Sequence, residues 1–354
     1  LTVDLSAIVA NWTLLRSLHD GKETAAVVKA NAYGLGAAPV SEALYKAGCR
    51  LFFVATLEEA IALRAVLPLA RILVFEGLLK GSETEYRAHR LCPVLNTAEQ
   101  MQRWMQETDT HAQTLPAAIH VDTAMQRLGL TLSELQDADT LLLARTVKAD
   151  ILMTHYACAS DPHHPTNRLQ LEKITTAHAL LPHLKTCYAN SSAHFLPPEY
   201  HGDITRPGCA LYGITPLEAH HPNPMQHVAT LTAPILQVRT MDESATLGYC
   251  ATAHVSQGMR TVTVGIGYAD GVFRSGSNAL YGYIGEYRLP LLGRVTMDMV
   301  CFDASAVPES ALESARSVTL MDARQTVDDL ASMYSTIGYE VLTAIGARIR
   351  REYC

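Results

Sequence analysis

Ala25-Ala26-Val27-Val28-Lys29-Ala30-Asn31-Ala32-Tyr33-Gly34-Leu35-Gly36 is a short apolar run that ends in a lysine and then breaks into small residues and glycines. That is the pattern of a buried strand feeding a turn. An amine at the end of such a strand is costly to desolvate. Where burial lowers its pKa, the amine becomes a nucleophile able to form a Schiff base. Taken alone, Lys29 also fits a plain surface lysine at a strand end, since lysines are mostly exposed.

Working outward, the same pattern recurs. Apolar, strand-length runs fall at 25–29, 51–55, 71–75, 92–95, 117–121, 151–154, 187–189 and 204–205. Segments of helical spacing lie at 4–18 (Leu5, Ile8, Trp12, Leu15) and, between the runs, at 38–47, 57–66, 97–107, 132–142 and 165–181. Strand–helix alternation repeated about eight times predicts an α/β fold with an N-terminal (β/α)8 TIM-type barrel. A doubly wound open sheet is the alternative that periodicity leaves open. Three prolines within Thr215-Pro216-Leu217-Glu218-Ala219-His220-His221-Pro222-Asn223-Pro224 forbid a regular helix and mark a linker. Beyond it alternation dominates, at 229–239, 244–255, 261–266, 283–289 and 295–302, with one late helix near 327–337. The expected division is a barrel domain over 1–225 and a C-terminal, mainly-β domain over 226–354.

The composition is that of an ordinary globular enzyme, with 48% hydrophobic and 18% charged residues in 354. A net charge of -7 gives no footprint for nucleic acid or an anionic membrane. No apolar run approaches the ~20 residues of a membrane helix, and Leu1-Thr2-Val3-Asp4 is unlike a signal peptide. Eight scattered cysteines without metal-ligand spacing predict a reducing, cytoplasmic setting and no metal. His163-His164 and His220-His221, beside prolines, are expected to be loop residues.

In a barrel of this kind, functional groups gather at the carboxyl ends of the strands. Lys29 and Tyr33 follow the first run, and Asp122 and Arg127 the fifth. His155 ends the sixth, Asn190 and Ser191 the seventh, and Arg206-Pro207-Gly208 the eighth. Singly, His155 fits a satisfied core histidine, Asn190 and Ser191 fit turn residues, and Arg206 fits half of an ion pair. Together they crowd one rim. Ser191 with the backbone near Gly208-Cys209 offers a hydroxyl and approachable amides, which suit a dianion.

These segments resemble the alanine racemase family over essentially the whole chain. The likeness is carried by AVVKANAYG around Lys29, HVDTAMQRLG with Asp122 and Arg127, THYACASD with His155, ANSSA with Asn190 and Ser191, and TRPGCALYG from Thr205 to Gly213. It continues in ATLGYCATA with Tyr249, GIGYADG with Tyr268, GRVTMDM with Met297-Asp298, and IGYEVLTAIG with Tyr339. The resemblance implies pyridoxal 5'-phosphate carried covalently by Lys29, with Arg206 at its ring nitrogen and His155 supporting Arg206. It implies Tyr33, Asn190, Ser191, Gly208, Cys209 and Tyr339 as further cofactor contacts. Arg127 would bind the substrate carboxylate and reach the cofactor. It also implies a homodimer, with Tyr249, Tyr268 and Met297 completing the neighbouring site. Two positions depart from the family pattern. His120 stands where many members carry a carbamylated lysine beside the arginine corresponding to Arg127, and Leu35 stands where the motif usually has histidine.

Racemisation suits such residue types. A proton must leave one face of a carbon and another arrive at the opposite face, so two bases are wanted: Lys29 and Tyr249. Tyrosine, with an ordinary pKa near ~10, needs a neighbouring cation or donor to serve as one. Tyr249 alone also fits a cross-strand aromatic. The expected activity interconverts L- and D-alanine, supplying D-alanine for peptidoglycan or degrading it. The competing readings are a racemase of serine or another small amino acid, a decarboxylase of the same architecture, and a non-catalytic cofactor carrier. The decarboxylase would need a catalytic cysteine that Cys301 and Cys354 do not supply in context, and the carrier would resemble the barrel alone.

Overall fold

The computed structural model describes residues 1–20, 22–111, 115–218 and 221–354. His220 of the expected loop, with part of the linker, lies outside the described residues. Two compact units emerge. One comprises Ser6–Ala32 and Gly36–Gln226; the other comprises Leu1–Leu5, Tyr33–Leu35 and His227–Cys354.

The first unit is built on parallel strand segments in the order Glu23–Thr24, Ile204–Thr205, Lys185–Cys187, Ala149–Met153, Ala117–Asp122, Cys92–Leu95, Arg71–Val74, Leu51–Val54 and Ala26–Val27. The first and last segments are one extended run interrupted at Ala25. On one side Glu23–Thr24 pairs with Ile204–Thr205, and the Ala25 N–H donates to the Thr205 carbonyl at 2.8 Å. On the other, Ala26–Val27 pairs with Phe52–Phe53. A run bonded to both the second and the last strand closes the sheet into a TIM-type barrel. Most strand residues are buried, including Phe52, Phe53, Ile72, Val94 and Ile119. Both faces of such a sheet are covered, which explains why its strands read as continuous apolar runs. Helices follow the strands and bury one stripe each; Ala98–Thr110 buries Met101, Trp104 and Thr108.

Local departures from the expected elements have local causes. Helix Glu83–Ala88 buries only Tyr86, so it carries no periodic signal. The expected helix 132–142 is two, Leu132–Gln136 and Ala138–Thr146. Asp137 separates them in extended conformation and caps the second by accepting the N–H groups of Asp139 and Thr140.

The second unit is a closed antiparallel barrel. Ala229–Thr240 pairs with Ser317–Met321 over its first part and with Arg260–Val264 over its second, shifting register between Ile235 and Gln237. Val300–Asp303, Tyr287–Leu292 and Tyr281–Ile284 complete the ring. Thr2–Val3 adds to the start of Ala229–Thr240, and Glu352–Tyr353 adds to Thr2–Val3. The expected strand 283–289 is a hairpin: Ile284 pairs with Tyr287 across a two-residue loop whose first member, Gly285, has φ +57°. The expected strand 295–302 is a loop followed by Val300–Asp303. The expected strand 244–255 is a pair, Ala245–Leu247 and Ala253–Val255, joined through a 3-10 turn at Tyr249–Ala251. Ser317–Met321 was not foreseen. Among the described residues no helix is long and apolar enough to cross a membrane, and no cluster of three or more His, Cys, Asp or Glu could hold a metal ion.

Candidate active site

Lys29 follows the first strand at the start of an unusual turn. Ala30, Asn31, Ala32 and Tyr33 all have φ between 51° and 54°, in the left-handed region. For L-residues this costs roughly 1–2 kcal/mol each, so the turn must be held from outside. The Ala30 N–H donates to Glu59 Oε1 at 2.6 Å, and the Ala32 N–H to the Val28 carbonyl at 2.9 Å. Asn31 tolerates this conformation best. Its side-chain oxygen accepts the Ala37 N–H at 2.8 Å, and its carbonyl accepts the Gly36 N–H at 2.9 Å. Glu59 also accepts the Ala55 N–H at 2.8 Å and closes the capping box of helix Leu57–Val66.

The turn delivers the Lys29 amine to a cavity of about 290 Å³, whose lining includes Phe75, His120, Arg127, His155 and Arg206. Nζ lies 5.9 Å from the Phe75 ring centroid. Burial lowers the Lys29 pKa below the ordinary lysine value; the positive charges of Arg127 and Arg206 add to this and Glu59 opposes it. Glu76 is the one acid in that lining, and it accepts the Leu57 N–H at 2.9 Å. The two arginines, with Lys29 beside them, give this cavity walls suited to an anion.

Arg206 is 2% exposed. It donates to the carbonyls of Thr154, Cys187 (2.8 Å) and Tyr188 (3.3 Å), and to His155 Nδ1 at 3.2 Å. A guanidinium only donates, so His155 Nδ1 is the bare nitrogen and the ring is neutral. Burial, then the charge of Arg206, holds the His155 pKa well below the usual histidine range. On the adjoining strand end, Ser191 Oγ accepts the amides of Gly208 (2.9 Å) and Ala210 (3.3 Å), at the start of the 3-10 turn Cys209–Tyr212. Asn190 spends its side chain on the loop, donating to the Tyr156 carbonyl at 3.0 Å and accepting the Ala193 N–H at 3.1 Å. Asp122 shapes the loop that carries Arg127: its carboxylate accepts the N–H groups of Ala124 (3.0 Å), Met125 (2.9 Å) and Arg127 (3.1 Å).

In the second unit Tyr249 is 71% exposed, on a turn where Cys250 and Ala251 have φ of 59° and 50°. Tyr249, Tyr268 and Met297 line one open cavity of about 670 Å³. The Tyr268 and Met297 loops are bonded together, Tyr268 N–H to the Thr296 carbonyl (2.9 Å) and Ala269 N–H to the Met297 carbonyl (3.1 Å). Arg348 clamps both, donating twice to Asp270 (each 2.9 Å) and once to Asp298 (2.8 Å). The rings of Tyr33 and Tyr339 lie 6.1 Å apart within this same unit.

Of the residues expected from sequence, then, Lys29, Arg127, His155 and Arg206 share one cavity, Ser191 and Gly208 form a hydrogen-bonded cup with Cys209 beside it, and Tyr249, Tyr268 and Met297 share a second cavity. Glu59, Phe75 and Arg348 were missed. Thr56-Leu57-Glu58-Glu59 is a readable capping box that signals Glu59; the other two carry no local signature.

Comparison with known proteins places the whole chain. The model of the alanine racemase N-terminal domain matches residues 3–216, and that of the C-terminal domain matches 228–353. The chain is 44% identical to an alanine racemase of Rhodospirillum rubrum, covering all of this chain and 95% of that one. It is 42% identical to a catabolic alanine racemase of Agrobacterium fabrum, covering all of this chain and 91% of the other. The crystal structure of alanine racemase from Bartonella henselae with covalently bound pyridoxal phosphate superposes with a TM-score of 0.91 at 35% identity, covering 100% and 98% of the two chains. Both domain models match, and the relatives are alike over the whole chain: the chain belongs to the alanine racemase family.

Proposed function

We propose that the protein interconverts L- and D-alanine using pyridoxal 5'-phosphate. The carrying observation is the Lys29 amine, with its pKa lowered, in a cavity it shares with Arg127 and Arg206. The residues fit the cofactor: a nucleophilic amine for its aldehyde, the proton of the Ser191 hydroxyl, whose oxygen accepts two amides, for its phosphate, and a buried arginine that donates but does not give up its proton. When bound, pyridoxal phosphate supplies an electron sink that makes the α-hydrogen of an amino acid removable.

The chain's own groups are assigned as follows. Ser191 Oγ and the amides about Gly208 and Cys209 hold the phosphate, flanked by Tyr33 and Tyr339, with Asn190 bracing the loop. Arg206, kept in place by neutral His155, faces the ring nitrogen. Arg127 binds the substrate carboxylate. Lys29 Nζ takes or returns the proton on one face of the α-carbon, and Tyr249 Oη does so on the other. We assign the cofactor-holding part to residues 1–225 and the Tyr249-bearing part to 226–354.

The assembly we infer is a homodimer in which Tyr249, Tyr268 and Met297 complete the partner's site. Supporting this, Tyr249, Tyr268, Met297 and Met299 are exposed and line one open cavity of the second unit, a gathering of large side chains that suits an interaction surface. Eight free cysteines support a cytoplasmic setting. Purified holoenzyme should convert L-alanine to D-alanine and sediment as a dimer. Absence of D-alanine, whether L-alanine is decarboxylated or left unchanged, would remove this assignment.

A further inference from the structure

Beyond Ile204–Thr205 the chain runs through Pro207 into the 3-10 turn Cys209–Tyr212, and both ends of that segment grip one residue of the first strand. The Val27 N–H donates to the Pro207 carbonyl at 3.0 Å, and the Tyr212 hydroxyl donates to the Val27 carbonyl at 2.8 Å. A carbonyl only accepts, so the tyrosine supplies the hydrogen. The peptide unit it reaches is held on its other edge too, since the Val28 N–H donates to the Phe53 carbonyl at 2.9 Å. Tyr212 is 1% exposed, and an unpaired carbonyl is costly in such an interior. Asn11 pins the turn from helix Leu5–Leu18. Its Nδ2 donates to the carbonyls of Leu211 at 3.2 Å and Gln226 at 3.0 Å, and its Oδ1 accepts the Gln226 N–H at 2.7 Å.

Two features of the candidate site lie at the ends of this brace. Val27 stands two residues before Lys29. Gly208 and Ala210, inside the gripped segment, give their amides to Ser191 Oγ at 2.9 and 3.3 Å. We propose that Tyr212 is a positioning residue for the cofactor: by way of Val27 it sets the spacing between the Ser191 cup and the strand end that carries Lys29. The inference rests on the reading of Lys29 as the cofactor's attachment and of the cup as its phosphate site. Pyridoxal phosphate bears its aldehyde and its phosphate arm on adjacent ring carbons, so it suits one spacing of the two. A second attachment adds affinity only so far as that spacing is set beforehand.

Tyr212→Phe removes the hydroxyl and keeps the ring. Three probes, titrated into the full chain freed of cofactor, then report both ends together and each end alone: pyridoxal 5'-phosphate, pyridoxal and inorganic phosphate. Kd for pyridoxal 5'-phosphate should rise about tenfold in Tyr212→Phe, while Kd for pyridoxal and for phosphate stays within about twofold of the parent. A purely structural loss would weaken all three alike; that result, or an unchanged Kd for pyridoxal 5'-phosphate, overturns the proposal. Amide hydrogen exchange on the wild type needs no variant. Inorganic phosphate should slow exchange at Val28, across the brace, as well as at Gly208 and Ala210; protection confined to the cup also overturns it. Failure of Lys29 to take up pyridoxal 5'-phosphate in the wild type would instead sink the functional assignment, while the spread of phosphate protection to Val28 would still decide the brace.

Discussion

Two residues, Lys29 and Tyr249, divide the proposed proton chemistry, and the structure sets them in contrasting surroundings. Lys29 is half-buried among cations, which favours its neutral, basic form. Tyr249 stands exposed on a strained turn. A group that only moves protons should matter for turnover and not for cofactor retention. Tyr249→Phe should therefore lower kcat by roughly 10²–10⁴-fold and leave the visible absorbance of bound cofactor intact. Exchange of the α-hydrogen in deuterated water should fall unequally for the D and L antipodes; small, equal losses would rule Tyr249 out as a base. Much of the rim was legible residue by residue, because a polar side chain directly after an apolar run is conspicuous, as with Lys29, His155 and Arg206. The pairing of His120 with Asn96 was not. The two are 24 positions apart and meet only because Leu95 and Ile119 are register partners on adjacent strands.

At the level of elements, the left-handed turn after Lys29 shows best why structure was needed. Alanine is the strongest helix former and gives no hint of positive φ, yet Ala30 and Ala32 both adopt it. What compensates is long-range: Glu59, 29 positions away, accepts the Ala30 N–H and also two N–H groups at the head of its own helix. Removing that carboxylate leaves donors unpaired at about 1–3 kcal/mol each where buried. Glu59→Ala should thus lower stability by roughly 2 kcal/mol in urea titrations and depress kcat further than the stability loss explains, through misplacement of Lys29. Strand–helix alternation in the first half was readable because buried parallel strands are short apolar blocks. The hairpin at Gly285 was hidden by alternation that continues across it, from Tyr283 to Leu289. Ser317–Met321 escaped because five residues, of which Val318, Leu320 and Met321 are buried, scarcely rise above background.

On the scale of the molecule, shared sites make a strong prediction. Lys29→Ala and Tyr249→Phe should each be inactive alone. If the proposed dimer forms, unfolding and refolding them together should restore about a quarter of wild-type activity, since half the dimers are mixed and each holds one intact site. No recovery would mean that Tyr249 acts within its own chain or not at all. Acidity provides a second measurement. His19, His120, His155, His194 and His201, all in the first unit, have pKa values lowered chiefly by burial, to about 4 for His120 and about 3 for His194. The unfolded chain binds protons at these rings near pH 6.5 while the folded one does not. Their contribution is therefore complete above about pH 6.5 and is lost progressively as pH falls toward 4. The melting temperature of the first unit should drop steadily between about pH 6.5 and 4.5; a flat profile would mean that the rings are charged in the folded protein.

One strand, Ala229–Thr240, hydrogen-bonds in turn to Thr2–Val3, Ser317–Met321 and Arg260–Val264. Two seams of the antiparallel barrel meet on it, so loosening its middle parts both at once. The amides around its register shift should accordingly be among the last to exchange with deuterium, opening only when that whole unit comes apart.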